Sequence, residues 1–350
     1  MSKQGLVLEG GGVKGSYQIG SFYAFRDCHI KLDGFVGTSI GSFNACMLAS
    51  GHEKELLNFW YNVNPGLLFG FDKDFVDIFN DETMSIKALN GAFNTLKDIV
   101  KNQGLENLYL KDAVKNIVSY DDLMKSKKDF GLVTTRLPRF EAIYVNKEDI
   151  TDQENLLEYL IASCYFPGFK PRRILDNNYY LDGGLRDNSP IRLLYNKGYK
   201  KAYVINIKGI GFNRSIPNGI KTVVIYPSRY NGKIFELDLS VVRDNIKMGY
   251  YDTLRVLKNY DGFKYCFKRK FNFLYNMLLK NVDKSLLRRV KSFLNAKTNK
   301  DVIIKSLEYV MEKDGIDYYD VYNPFKVLKK YKKNKKKHFI YRFLREIKFF

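Results

Sequence analysis

The sequence predicts an α/β protein with a mostly parallel central sheet, followed by a helical, strongly basic C-terminal region. Three observations carry this. Twice within Gly5–Ser50 a short apolar run stops at a glycine-bearing turn and leads into a helix-like segment. Five more strand-like runs follow, spaced by helical segments. The charge is also divided. The 350 residues hold 58 Lys/Arg and 38 Asp/Glu, net +20, but Lys258–Phe350 alone holds 25 and 9, net +16. The rest, at net +4, reads as an ordinary globular body. The composition shift near Tyr260 therefore separates a domain at 5–257 from a basic helical region at 258–350.

The elements follow in order. Gly5–Glu9 is a strand that stops at a glycine cluster, and Tyr17, Ile19, Phe22, Tyr23 and Phe25 continue at roughly helical spacing. Phe35-Val36 leads into Gly37–Gly41, and Ser42–Ser50 is a helix of small residues. Between Phe59 and Ser119 the pattern is mixed and mostly helical, which suggests a cap over the sheet. Gly131–Thr135 and Ala142–Val145 are strands, and Glu154–Tyr165 is an apolar helix stopped by Pro167. Asn178–Leu181 is a strand ending at Asp182-Gly183-Gly184. Ala202–Ile207 and Thr222–Tyr226 are buried strands, and Leu239–Leu257 is a long helix. No internal repeat is visible.

Composition excludes several classes. A hydrophobic fraction of 45% is enough for a sizeable core and rules out a disordered chain. No apolar run reaches the roughly 18 residues that span a bilayer. Met1–Glu9 lacks the apolar core of a signal peptide, so a cytoplasmic location is expected. Cys28, Cys46, Cys164 and Cys266 are scattered without CxxC spacing and read as reduced core thiols. No metal cluster is visible, and neither metal nor cofactor is expected.

Three motifs bear on chemistry. Gly10-Gly11-Gly12-Val13-Lys14-Gly15 follows a strand and opens a helix. It fits G-x-G-x-x-G, but the dinucleotide reading needs an acidic residue at the end of the second strand. Asp33 precedes that strand, which ends instead in Gly37-Thr38-Ser39. A P-loop fails too, because Ser16 follows Gly15 where lysine is required. What remains is a row of backbone N–H groups at a helix start, suited to an anion such as an oxyanion.

Gly37-Thr38-Ser39-Ile40-Gly41 is a G-x-S-x-G between a strand and a helix, either a plain tight turn or a nucleophile elbow. In the elbow reading the Ile40 N–H points at the same oxyanion. Asp182-Gly183-Gly184 is either a strand-end turn or a catalytic acid. The histidines weigh here. A Ser…Asp…His order needs a histidine after the acid, and the chain holds His29, His52 and His338. His338 follows a lysine run, and the other two precede Asp182. If Ser39 is a nucleophile, a carboxylate must take its proton.

Together these motifs resemble the patatin-like phospholipase family. The matching stretches are Glu9–Gly15, Gly37–Gly41, and Asp182–Gly184 with Asn188 and Pro190. Ala162–Pro167 is similar to the family's segment before the aspartate, and the resemblance covers about 5–257. It implies a three-layer α/β/α fold and a Ser39–Asp182 dyad hydrolysing lipid acyl esters through an acyl-enzyme. Ser39 would be the nucleophile and Asp182 the proton acceptor. The amides of Gly10, Gly11, Gly12 and Ile40 would form the oxyanion hole, with Lys14, Gly15, Gly37, Gly41, Gly183 and Gly184 supporting it. Lys14 is either near a lipid phosphate or a solvated first-turn lysine. Ser42 departs from the alanine common at its position, and the basic C-terminal quarter has no counterpart in the family core. The competing functions are a catalytically silent lipid-binding relative and a nucleotide-binding oxidoreductase using Gly10–Gly15.

The C-terminal region has its own readings. Lys329, Lys330, Lys332, Lys333 and Lys335–Lys337 precede Phe339, Ile340, Phe343, Leu344 and Ile347, which make one apolar helical stripe. That arrangement suits an anionic membrane surface. The alternative is a helix docking its stripe on the globular body, with solvated lysines. No nucleic-acid module accompanies the charge, so nucleic acid is not the expected partner.

Overall fold

The computed structural model describes residues 3–64, 114–166 and 173–349. The chain divides into two compact units, Met1–Tyr250 and Tyr251–Phe350. The cap expected between Phe59 and Ser119 lies, from 65 to 113, outside the described residues.

The first unit is an α/β fold. Its elements are β1 (Gln4–Leu8), α1 (Ser16–Asp27), β2 (Gly34–Thr38), α2 (Ile40–Ser50), α3 (Glu53–Asn62), α4 (Tyr120–Lys125), β3 (Asp129–Arg136), β4 (Glu141–Asn146), α5 (Gln153–Ser163), β5 (Tyr180–Asp182), α6 (Ile191–Asn196), β6 (Lys201–Ile205) and β7 (Lys221–Ile225). The seven strands form one sheet in the order β4-β3-β2-β1-β6-β7, with β5 also paired to β3. The β1–β2, β2–β3, β1–β6 and β6–β7 pairs are parallel. β4 and β5 run antiparallel to β3, so the sheet is mostly parallel.

Alternation along the strands explains the layers. Val7, Val36, Val133 and Val204 point to one face, where they pack with Ile191, Leu193 and Leu194 of α6. Their neighbours turn to the other face, where α1 lies. There Phe22 packs on Phe35 (6.1 Å between centroids) and Phe25 on Tyr203 (4.7 Å). Both faces are thus covered by helices. These strands are near-continuous apolar runs because each face is buried.

α7 (Leu239–Leu257) contains the division between the units. The second unit then holds β8 (Cys266–Phe267), α8 (Asn272–Leu279), α9 (Lys284–Phe293), α10 (Asn299–Lys313), β9 (Val321–Tyr322), α11 (Pro324–Lys332) and α12 (Phe339–Glu346). β8 and β9 pair in parallel. Ile303, Leu307 and Val310 of α10, Val290 of α9 and Leu328 of α11 share one core with Ile340, Phe343, Leu344 and Ile347. The C-terminal stripe is therefore buried inside its own unit. Several tail cations are also engaged there. Lys336 pairs with Asp314 at 2.5 Å, Arg345 Nη1 donates to the Asn334 carbonyl at 2.7 Å, and the Lys329 and Lys332 ammoniums sit over the Phe349 ring.

Candidate active site

Ser39 sits on the turn between β2 and α2 with φ 54° and ψ −134°. A non-glycine residue held there costs about 1–3 kcal/mol, so its surroundings must impose it. Several bonds do. The Ser39 N–H donates to Ser163 Oγ at 2.9 Å, and that hydroxyl donates to the Val133 carbonyl at 2.7 Å. Thr38 Oγ1 donates to the Asp187 carbonyl at 2.9 Å. The Ser39 carbonyl accepts from both the N–H (2.8 Å) and the hydroxyl (2.6 Å) of Ser42. The family departure at Ser42 thus adds a stitch to the elbow. Close backbone approach accounts for the flanking glycines. A Cβ at Gly37 would lie 2.2 Å from the Gly41 carbonyl oxygen, and one at Gly41 would lie 2.1 Å from that of Leu8.

The acid arrives from the opposite direction. β2 pairs with β3 up to Thr38–Val133, and β5 pairs with it from Asp182–Thr134 onward. β4 occupies the other edge of β3 over Gly131–Arg136. So β2 and β5 meet end to end along one edge of β3. Ser39, just past the end of β2, comes beside Asp182, the last residue of β5, and its hydroxyl there favours the ionised carboxylate. That carboxylate accepts from the Gly184 N–H at 2.8 Å. Protein surrounds the Asp182 carboxyl, although part of the residue opens onto the cavity. Burial raises its pKa to about 6, against the lowering effect of Ser39 and Gly184. Gly183 packs against the Val133 carbonyl, where any Cβ would collide.

The glycine loop closes the third side. Asn188 clamps it through Gly10 N–H to Oδ1 (2.9 Å) and Nδ2–H to the Gly10 carbonyl (3.3 Å). This corrects one expectation. The Gly10 amide is spent on Asn188 and is not offered to an oxyanion. Gly12 takes φ +60°, and a Cβ there would meet the Ile234 carbonyl oxygen at 2.2 Å. Val13 N–H donates to that same carbonyl at 3.0 Å. Ile40 supplies the first amide of α2, one of the four in any helix without an intrahelical acceptor. Gly15 packs under Ile40 and Trp60. Lys14 Nζ donates to the Lys208 carbonyl at 3.2 Å.

Gly10, Gly11, Gly12, Ser39, Asp182 and Gly184 line one cavity, whose other walls include the apolar side chains Phe166, Leu185, Ile210 and Phe235. Cys164 lines it too, but burial pushes its thiol well above the ordinary range, so it stays protonated beside Ser39. None of the three histidines lines this cavity. His29 is exposed, His52 faces Asp122 at 3.2 Å, and His338 caps α12.

Some participants were not assigned roles from sequence. Ser163 orients the elbow amide, and Asn188 holds the glycine loop. Gln18 Nε2 donates to the Glu9 carbonyl at 2.7 Å, and Asn44 links Gln18, the Gly15 carbonyl and Trp60. Their signal is a polar residue inside an otherwise apolar helix, which must bond something when buried. Glu9 and Asp187 lie buried behind the loop. Burial raises Glu9 to about 7, with bonds from Ser189 and Asn206 opposing. It raises Asp187 as well, although the Tyr144 hydroxyl donates to it at 2.8 Å.

The family model for patatin-like phospholipases matches residues 6–195, more than half the chain. The chain belongs to the patatin-like phospholipase family. Its patatin-like segment is 24% identical over 220 residues to lysophospholipase NTE1 of Kluyveromyces lactis, covering 59% of this chain and 13% of that protein. It is also 24% identical over 200 residues to a probable lipid hydrolase, 463L, of Invertebrate iridescent virus 6, covering 56% and 66%. Among solved structures, VipD from Legionella pneumophila aligns with a TM-score of 0.45 at 14% identity, over 95% of this chain and 79% of that one. The chain thus spans a small part of the yeast relative. Among the described residues no helix is long and apolar enough to cross a membrane.

Proposed function

We propose that the N-terminal unit is a lipid acyl hydrolase of the serine carboxylic-ester type. The observation that carries this reading is the meeting of Ser39 and Asp182 at the head-to-head ends of β2 and β5, where both line one cavity.

The reaction follows from that pairing. Ser39 Oγ attacks the ester carbonyl while Asp182 takes its proton. A carboxylate with a pKa of about 6 is a stronger base than one at the usual ~3.9, yet remains ionised at neutral pH. The negative oxygen of the tetrahedral intermediate is held by the amides of Gly11, Gly12 and Ile40, where each lost donor costs about 2.7–4 kcal/mol. Protonated Asp182 gives its proton to the leaving alkoxide, leaving an acyl-Ser39. Water, deprotonated by Asp182, then releases the fatty acid. The apolar walls of Phe166, Leu185, Ile210 and Phe235 suit an acyl chain.

The substrate is a lipid ester presented at an interface, and the net +16 of the C-terminal region favours an anionic one. Turnover of a panel of phospholipid, lysophospholipid and acylglycerol esters tests the reading. Ser39→Ala and Asp182→Asn should each abolish hydrolysis in a folded protein. Wild-type turnover by Ser39→Ala would end it.

A further inference from the structure

The burial of the C-terminal stripe leaves a different apolar face uncovered in the second unit. Phe271 is 73% exposed, more than any other large apolar side chain among the described residues. Phe273 is 57% and Met277 47% exposed. The Phe271 and Phe273 rings stack on one another at 6.0 Å, with their planes 23° apart. Phe273 and Met277 are one turn apart on α8, while Tyr275, Leu278 and Leu279 of the same helix turn into the core. The helix is amphipathic in the ordinary sense, with a second apolar ridge that faces water.

Charge surrounds this ridge. Lys268, Arg269 and Lys280 are exposed at its two ends, and no carboxylate occurs from Lys268 to Lys280. Asp261, bonded by the Tyr275 hydroxyl of this helix at 3.3 Å, is buried and engaged by Lys300 at 2.5 Å, and the next carboxylate along the chain is Asp283, beyond Lys280. Stacked aromatic rings among cations fit the boundary between anionic headgroups and acyl chains. They do not fit a second copy of the same face, which would set cation against cation.

We propose that Phe271, Phe273 and Met277, flanked by Lys268, Arg269 and Lys280, dock the C-terminal unit on an anionic lipid surface. The rings enter the headgroup boundary, and each nearby cation adds roughly 1 kcal/mol of attraction. The proposal deepens the hydrolase reading by naming the face that reaches the lipid phase, and it rests on that reading for its purpose alone.

The test is sedimentation of the full-length Ser39→Ala protein, which leaves the lipid intact, with vesicles of phosphatidylcholine alone or mixed with phosphatidylserine. Binding should require phosphatidylserine and weaken with salt. Adding Phe271→Ser and Phe273→Ser should weaken it by about tenfold or more. With Ser39 present, the same double substitution should leave turnover of a short soluble ester unchanged. A Phe271→Trp protein, whose added emitter joins the buried Trp60, should be quenched by brominated lipid. Equal binding by parent and double variant, or absence of that quenching, would overturn the proposal. So would a dimer that the double substitution dissolves, with no vesicle binding. Vesicle binding without any ester turnover would sink the hydrolase reading and leave this one standing.

Discussion

Removing the buried charge at Asp182 should stabilise the fold while ending catalysis. Burial lifts this carboxyl from 3.8 to about 6. Its raised pKa means that the folded state binds more protons than the unfolded state between about pH 4 and 6. The contribution of this group is therefore fully present below about pH 4 and is lost as pH rises through 6. Two pH units correspond to about 3 kcal/mol. Asp182→Asn is nearly the same shape, never ionises, and can keep the bond from Gly184. Relative to wild type it should gain stability as pH rises, with the difference growing by about 3 kcal/mol from pH 4 to pH 7. Glu9 and Asp187 titrate in both proteins and cancel. The assay is urea unfolding followed by fluorescence of Trp60, the chain's one tryptophan, which is fully buried in α3 of the N-terminal unit. A difference that stays flat with pH would refute the argument that burial of an ionised Asp182 costs stability.

The other predictions concern the groups around the dyad and the C-terminal core. The kcat/KM profile should fall below about pH 6 with unit slope, as Asp182 becomes protonated; a profile flat to pH 4.5 would contradict its role as base. Ser163→Ala leaves the Ser39 amide and the Val133 carbonyl unpaired in a buried site, so stability should drop by about 1–3 kcal/mol and kcat should fall with little change in KM. Asn188→Ala frees the Gly10 amide and loosens the glycine loop; kcat should drop by about tenfold or more while the protein stays folded, measured on the preferred ester. Phe343→Ala in the C-terminal unit should cost about 3–5 kcal/mol in thermal or urea unfolding of that unit. For the same reason a chain ending before Pro324 would lose Leu328, Ile340, Phe343 and Leu344 from one core, and should not keep that unit folded.

How far the sequence reached depended on whether a feature is local. The strand runs and the glycine turns are local, and β1, β2, β3, β6 and β7 lie within a residue or two of the apolar runs that announce them. The direction of β5 is not local. Asn178–Leu181 reads as a strand, but its antiparallel seat on β3 is set by pairing with Thr134–Arg136, and that seat brings Asp182 to Ser39. Ser163 shows why the residues around Ser39 and Asp182 were less legible than those two. It is a single hydroxyl at the end of an apolar helix, and its partners Ser39 and Val133 lie far away in the chain. Gly10 reads as an oxyanion donor until Asn188, also far away in the chain, is seen to hold its amide. The C-terminal helix was legible as amphipathic, since Ile340, Phe343, Leu344 and Ile347 share a face. What that face covers depends on helices α9 to α11. Phe271 and Phe273 are exposed because Tyr275, Leu278 and Leu279 take the inward side of their short helix, a choice that depends on the helices packed against it.

The central claim is that Ser39 is the residue acylated in turnover. Labelling the full-length protein with a fluorophosphonate and mapping the modified peptide tests it most directly. The expected result is one adduct per chain, on Ser39, absent from Ser39→Ala and strongly slowed in Asp182→Asn. An adduct on any other residue, or equal labelling of Ser39→Ala, would contradict it.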